Sequence, residues 1–282
     1  MKTNLQTLCP LILLITLLTV NTGERSYAQV AKLPTKWTKS SMESSLPLPE
    51  YPRPQLQRND WLCLNGKWDY VGGASAPNAL NPSKPVNFDG KVGKILVPYC
   101  PESVLSGIER KQEINMWYRR RFEIPSVWKN KQVLIHFDAV DHDASVFING
   151  KKAGTHSGGY EGFTLNITSF LKEGTNIVIV AAHDPNDGRK PSGKNGPRGD
   201  YTFTSGIWQT VWLEPVSKNY IKDIKLLPDL ANSRLKVLVN AETGQVSLTA
   251  LDGKMIVSEV KGEAGTSFYI PIPNVYNHMG TI

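Results

Sequence analysis

From Trp61 onward, apolar and polar residues alternate over short runs instead of recurring at the spacing of a helix face. Val133, Ile135 and Phe137 alternate with Leu134 and His136, the two-residue period of a strand. Ala144 to Ile148 follows and ends in Asn149-Gly150, a dipeptide that favours the positive φ angles of a type I′ turn and so predicts a hairpin. Thr175 to Ala181 is a further β-branched run. Gly206 to Leu213 reads as one more strand, with Ile207, Gln209, Val211 and Leu213 on one side and Trp208, Thr210 and Trp212 on the other. The pattern predicts no amphipathic helix of convincing length after the leader. Short strands punctuated by Gly- and Pro-rich turns predict an all-β chain built as a two-sheet sandwich.

Glu214-Pro215-Val216 closes this first set of strands. A second set is predicted at Ile221 to Leu227, Leu235 to Val239, Val246 to Leu251, Met255 to Val260 and Ser267 to Ile270, with Asp252-Gly253 as a hairpin turn. Five runs fall short of the seven strands and about 100 residues of an immunoglobulin-like sandwich, so this second sandwich reads as incomplete. The predicted organisation is a leader over 1–28, a linker over 29–55, a first sandwich over 56–216 and the incomplete one over 217–282. The prolines of Leu46 to Pro54 exclude helix and central strand, so the linker is expected to lie over the first sandwich.

The leader changes the compartment. Lys2 precedes the apolar run Leu11 to Val20, and Ser26-Tyr27-Ala28 offers the small residues of a cleavage site before Gln29, so the chain is expected to be exported, periplasmic or extracellular. An uncleaved N-terminal anchor is the rival reading. After cleavage two cysteines remain, Cys63 and Cys100, which either pair as a disulfide or stay as two buried thiols. Two cysteines and five scattered histidines have no metal-ligand spacing, and no cofactor motif is present. The net charge of +7 is dispersed, apart from Arg119-Arg120-Arg121 and the stretch Arg189 to Arg198. Adjacent arginines on a strand point to opposite faces, so they form no stripe for nucleic acid, and no nucleic-acid partner is expected.

Several segments in order carry a resemblance: Leu64-Asn65-Gly66-Lys67-Trp68, Val97 to Ser103, Trp117 to Phe122, Phe137-Asp138-Ala139-Val140-Asp141, Val146 to Lys151, His156-Ser157-Gly158-Gly159-Tyr160 and Ser205-Gly206-Ile207-Trp208-Gln209. Together they resemble the family 2 glycoside hydrolases, the β-galactosidase and β-glucuronidase superfamily. The resemblance implies a jelly-roll, galactose-binding-like β-sandwich, then an immunoglobulin-like domain, then a catalytic barrel carrying two glutamates. It implies a carbohydrate partner, a β-galactoside or related glycan. It also implies that Asp200, six residues before Gly206, reaches substrate hydroxyls, and that the stretch Asp184 to Asp200, with Asp184 and Asp187, faces the barrel.

Retaining hydrolysis needs two carboxylates about 5–5.5 Å apart. The family's acid/base follows an asparagine, and no Asn-Glu dipeptide occurs here, so no catalytic residue is assigned and this chain is expected to be inactive alone. The family pattern gives way after Asn274, which reads as a broken frame or a faulty gene model. Of the aromatic residues, Trp117, Tyr118, Trp208 and Trp212 lie in strands and are expected in the core. Tyr160, after Gly158-Gly159, is the candidate to stack on a sugar. A stand-alone carbohydrate-binding module and a functionless fragment are the alternatives to a glycosidase front end.

Overall fold

The computed structural model describes residues 35–273 apart from 54, 91, 111 and 186–201. The leader, Asp187 and Asp200 therefore lie outside the described residues. From Lys36 onward the chain forms one compact unit. It opens with a six-residue helix, α1 (Thr38–Glu43), which the strand-based reading did not predict.

The first set of strands is β1 (Leu62–Cys63), β2 (Gly66–Val71), β3 (Gly93–Val97), β4 (Asn115–Glu123), β5 (Gln132–Phe137), β6 (Val140–Asp141), β7 (Asp143–Ile148), β8 (Lys151–Ser157), β9 (Phe163–Asn166), β10 (Thr175–His183), β11 (Gly206–Ile207) and β12 (Val211–Val216). They assemble as a four-stranded sheet β1-β12-β5-β9, a six-stranded sheet β3-β2-β4-β10-β7-β8 and a short pair β11-β6. Every strand pairing among the described residues is antiparallel, as hairpins and Greek-key returns require. Asn149 and Gly150 both have positive φ, 50° and 82°, so the predicted hairpin between β7 and β8 has the type I′ sign.

The period-two pattern sorts each strand into an inner and an outer row. Val133, Ile135 and Phe137 of β5, Val211 and Leu213 of β12, and Met116, Tyr118 and Phe122 of β4 point between the sheets into the main core with Trp68. Each large side chain fully removed from water there stabilises the fold by about 1.5–3 kcal/mol.

The outer rows are also covered, which strand patterns alone cannot reveal. On the six-stranded sheet, Trp117, Phe147, Ile179 and Ala181 form a second apolar cluster under Ala79 and Phe88 of the β2–β3 connection. Trp117 Nε1 donates to Pro77 O at 2.8 Å, and Lys152 Nζ donates to Asn81 Oδ1 at 2.7 Å, fastening that connection down. On the four-stranded sheet the proline-rich segment lies across Trp212: Tyr51 meets its ring edge-on at 5.5 Å, and Asn65 Nδ2 donates to Pro47 O at 3.0 Å. The three arginines separate as their alternation requires. Arg119 turns outward to Asp69 and over Phe88, and Arg120 donates to Lys67 O at 2.7 Å.

One expectation is corrected and one open choice is resolved. The predicted strand Gly206 to Leu213 is broken into β11 and β12, because the chain between them is committed elsewhere. Trp208 Nε1 donates to Gly159 O at 2.8 Å, and Thr210 O accepts the Asp138 amide at 3.0 Å. Ile207, Val211 and Leu213 still reach the core and Trp212 the outer row. As for the open choice between a disulfide and two thiols, Cys63 and Cys100 are free. Cys63 sits on edge strand β1 of the four-stranded sheet, whereas Cys100 follows β3 of the other sheet. Burial first, and then the neighbouring Glu102 charge, push the Cys100 thiol up to about 12, leaving it unreactive.

The remaining strands are β13 (Asp223–Asp229), β14 (Arg234–Asn240), β15 (Gln245–Asp252), β16 (Met255–Glu263) and β17 (Ser267–Pro271), within a residue or two of the predicted runs except at the C-terminal end of β16. They form a three-stranded sheet β13-β14-β17 and the hairpin β15-β16, giving an immunoglobulin-like second sandwich. Its core is small. Only Val237, Val239 and Ile270 are buried, while Leu226, Leu230, Leu251, Met255 and Ile256 are exposed.

Candidate functional site

With both outer faces covered, the loop ends of the sandwich remain. Antiparallel register brings one end of five strands into a row. Val71 of β2 pairs with Trp117 near the start of β4, and Asn115 of β4 pairs with His183 at the end of β10. His183 pairs with Asp143 at the start of β7, and Asp143 with Ser157 at the end of β8. Adjacent strands lie about 4.8 Å apart, so this rim runs for roughly 20 Å. The short pair β11-β6 joins it, with Gly206 opposite Asp141.

Tyr160 stands at one end of the rim, 54% exposed, while Trp117, Tyr118 and Trp212 are essentially inaccessible. Trp117, Tyr118 and Trp212 are buried as expected, whereas Trp208 is half-buried and lies just past β11, outside a strand. The Tyr160 ring meets Trp208 edge-on with centroids 6.2 Å apart. The turn below is held by the Trp208 indole on Gly159 O and by the Gly158 amide on His142 O at 3.0 Å. Gly159 needs its missing side chain, since a Cβ there would lie 2.5 Å from the Asp141 carboxylate. His156, near the end of β8, stacks on Phe163 at 4.4 Å.

The Ser205-Gly206-Ile207 step has an equally local cause. Gly206 has φ +69°, and a Cβ there would collide with the Tyr118 hydroxyl and the Met116 sulfur. Gly206→Ala is therefore expected to combine left-handed strain of about 1–2 kcal/mol with an overpacking cost of about 1–3 kcal/mol. Chemical denaturation would read this as a midpoint loss with unchanged slope.

Three of the rim's carboxylates are engaged by donors. Glu113 is buried and accepts from Arg110 Nη1 at 2.7 Å and from the Gly73 amide. Asp143 accepts from Ser157 Oγ at 2.7 Å, with His142 Nδ1 at 3.4 Å. Glu102 accepts from the Ser205 amide at 3.2 Å, and burial raises its carboxyl above the ordinary range. Asp184, expected to face substrate, is wholly buried at the end of β10, its amide donating to Ile114 O at 2.9 Å; it is a stem residue. Tyr160 and Asp184 thus share the rim but not its surface, and Asp187 and Asp200 cannot be placed, being outside the described residues. Glu102, His142 and Asp143 were not singled out from sequence, although Glu102 lies within the Val97 to Ser103 segment and Asp141, beside His142, closes the Phe137 to Asp141 segment.

These features define a jelly-roll β-sandwich of the carbohydrate-module type, closed on both faces and open at a loop rim. Residues 97–216 match the family model described as "Glycosyl hydrolases family 2, sugar binding domain". This stretch of the chain is thus similar to that sugar-binding domain.

Among curated relatives, a β-glucuronidase of Bacteroides fragilis is 36% identical over 166 residues, 56% of this chain and 21% of that protein. A β-galactosidase of Thermoanaerobacter pseudethanolicus is 29% identical over 173 residues, 60% of this chain and 23% of that protein. The chain spans about a fifth of the length of these relatives. In fold it resembles the Ruminococcus gnavus β-glucuronidase solved with D-glucuronic acid, with a TM-score of 0.61 at 19% identity over 81% of this chain and 42% of that one.

Proposed function

We propose that the chain is the sugar-facing front of an exported glycosidase acting on terminal β-linked sugars, with β-galactosides as the first substrate class. The observation that carries this reading is the exposed Tyr160 ring beside Trp208 on a rim otherwise built of hydrogen-bonding side chains. An aromatic face takes the CH groups of a pyranose, and the polar neighbours take its hydroxyls. The names of the relatives support both β-galactosides and β-glucuronides as candidates. The covered outer faces count against a stand-alone module that binds glycan on a flat sheet.

The 282-residue polypeptide is proposed to bind but not to hydrolyse, since Glu113, Asp143 and Glu102 of the rim are each held by a donor and the sequence offers no Asn-Glu acid/base. Purified protein free of host enzyme is expected to release no chromophore from nitrophenyl β-galactoside or β-glucuronide. Tyr160→Ala should weaken binding of methyl β-galactoside about five- to tenfold by calorimetry, the worth of one stacking contact of about 1 kcal/mol. Turnover, or unchanged affinity in the variant, would sink the proposal. Export is tested by the N-terminus of protein recovered from the culture medium or periplasm, expected to begin at Gln29.

A further inference from the structure

At the opposite end of the same rim from Tyr160 lies an open groove of about 510 Å³, lined by Gly72, Gly73, Ala74, Ser75, Arg110 and Gln112. We propose that this groove is a second sugar subsite, selective for a residue bearing a carboxylate, and that the natural ligand is an oligosaccharide that lies along the rim and includes a uronate unit. The proposal rests on the carbohydrate reading of the rim and extends it to ligand class.

Among the lining residues Arg110 is the one ionisable group. Its side chain is 46% exposed, and its Nη1 is anchored at 2.7 Å on Glu113, itself buried to 1%. That anchor engages one of the guanidinium nitrogens, and the half-exposed remainder of the group lines the groove. A planar fork of donors matches the two oxygens of a carboxylate, and a charge-assisted pair of this kind is stronger than a neutral one.

The backbone opposite is shaped for close approach. Gly73 has φ +97°, and a Cβ there would collide with Arg110 Nη1. A Cβ on Gly72 would collide with the hydroxyl of Tyr70, a side chain 3% exposed whose Oη lacks a hydrogen-bond partner among the described residues. An unpartnered hydroxyl thus lies directly beneath the glycine floor, and the exposed amide of Gln112 offers a further donor at the rim. Between groove and Tyr160 lie the ends of β4, β10, β7 and β8, so one ligand must be longer than a monosaccharide to touch both.

The test is titration of the isotopically labelled full chain with sodium glucuronate, glucose and sodium sulfate, followed by backbone and Arg side-chain resonances. Glucuronate is expected to shift Gly72, Gly73 and Arg110 Nε–H, and glucose to leave them unmoved. Gln112→Glu sets a like charge on an exposed position and should weaken glucuronate binding about tenfold or more with an unchanged melting temperature. Arg110→Lys should weaken it while keeping the charge, because the fork is lost. Equal shifts with glucose or with sulfate, or no shift with glucuronate, would overturn the subsite. If glucuronate shifts the groove but methyl β-galactoside leaves Tyr160 and Trp208 unmoved, the carbohydrate reading of that end fails while the subsite stands.

Discussion

Replacing Glu214 by Ala is expected to destabilise the chain by about 3–5 kcal/mol, the cost of removing one partner from a buried ionic cluster. Glu214 is on β12 and wholly inaccessible, yet four side chains converge on it. His136 Nε2 and Arg58 Nη1 lie at 3.1 Å, Tyr51 Oη at 3.4 Å and Arg53 Nη1 at 3.7 Å. Arg58 also donates through Nη2 to Ile221 O at 2.7 Å. One carboxylate therefore ties together the segment over the four-stranded sheet, the sheet itself and the chain leading into β13. His136 is fixed by stacking on Trp212 at 3.9 Å and by Thr164 Oγ1 at 2.7 Å.

At about 2–4 °C per kcal/mol for a chain of this size, the melting temperature should fall by roughly 6–20 °C. Arg53→Ala, which removes the longest and most exposed contact, should cost far less. A fall no larger in Glu214→Ala than in Arg53→Ala would show that the cluster is not what holds these segments together.

The same cluster sets the acid limit. Burial alone would raise the Glu214 carboxyl, but the hydrogen bond from His136 and the charges of Arg58 and Arg53 outweigh it and hold it below the ordinary range. A carboxyl depressed in the fold contributes stability that is complete above its unfolded value, near about 4.3, and is lost as pH falls through the folded value. Asp69, buried but held down by hydrogen bonds from Lys94 and Arg119, acts in the same direction. Melting temperature should therefore drop steeply below about pH 4, and Glu214→Gln should flatten that limb.

Limited proteolysis is expected to cut first beyond Val216 and to leave a resistant core ending near that residue. The contrast lies in burial. The first set of strands encloses Trp68, Tyr118, Phe137 and Ile135, each essentially inaccessible. The second set buries three side chains and leaves Leu251, Met255 and Ile256 about 60% or more exposed. Among the described residues, β15 and β16 pair only with each other, and such edges open at low cost. The same exposed side chains should make the chain associate at high concentration. Cleavage first within β4 or β10, or an intact chain under conditions that digest flexible proteins, would contradict this order of stability.

What the sequence made legible was whatever local pattern encodes. Alternation located β5, β7, β10 and all five later strands, and Asn149-Gly150 and Asp252-Gly253 marked hairpins because positive φ has few other uses there. Tyr160 stood out because it follows two glycines and so cannot be a core-strand residue. The coverings of both outer faces were not legible in detail, since residues 45–58 and 74–92 carry no period and gain their places from distant partners. The Glu214 cluster was invisible for the same reason, His136 being 78 residues away in sequence. The break at Trp208 escaped notice because alternation is preserved in type while the indole is claimed by Gly159 O. Asp184 was expected to face the barrel as the first residue of the Asp184 to Asp200 stretch, whereas its position at the end of β10 buries it.

The most direct test of the central claim, that sugar meets this chain at the loop rim and nowhere on the sheet faces, is amide shift mapping with methyl β-galactoside. The account predicts perturbations centred on Gly158, Gly159, Tyr160 and Trp208, with the strands flanking Trp117 and Trp212 silent. Perturbations centred on those strands, with Tyr160 unmoved at saturating sugar, would contradict it.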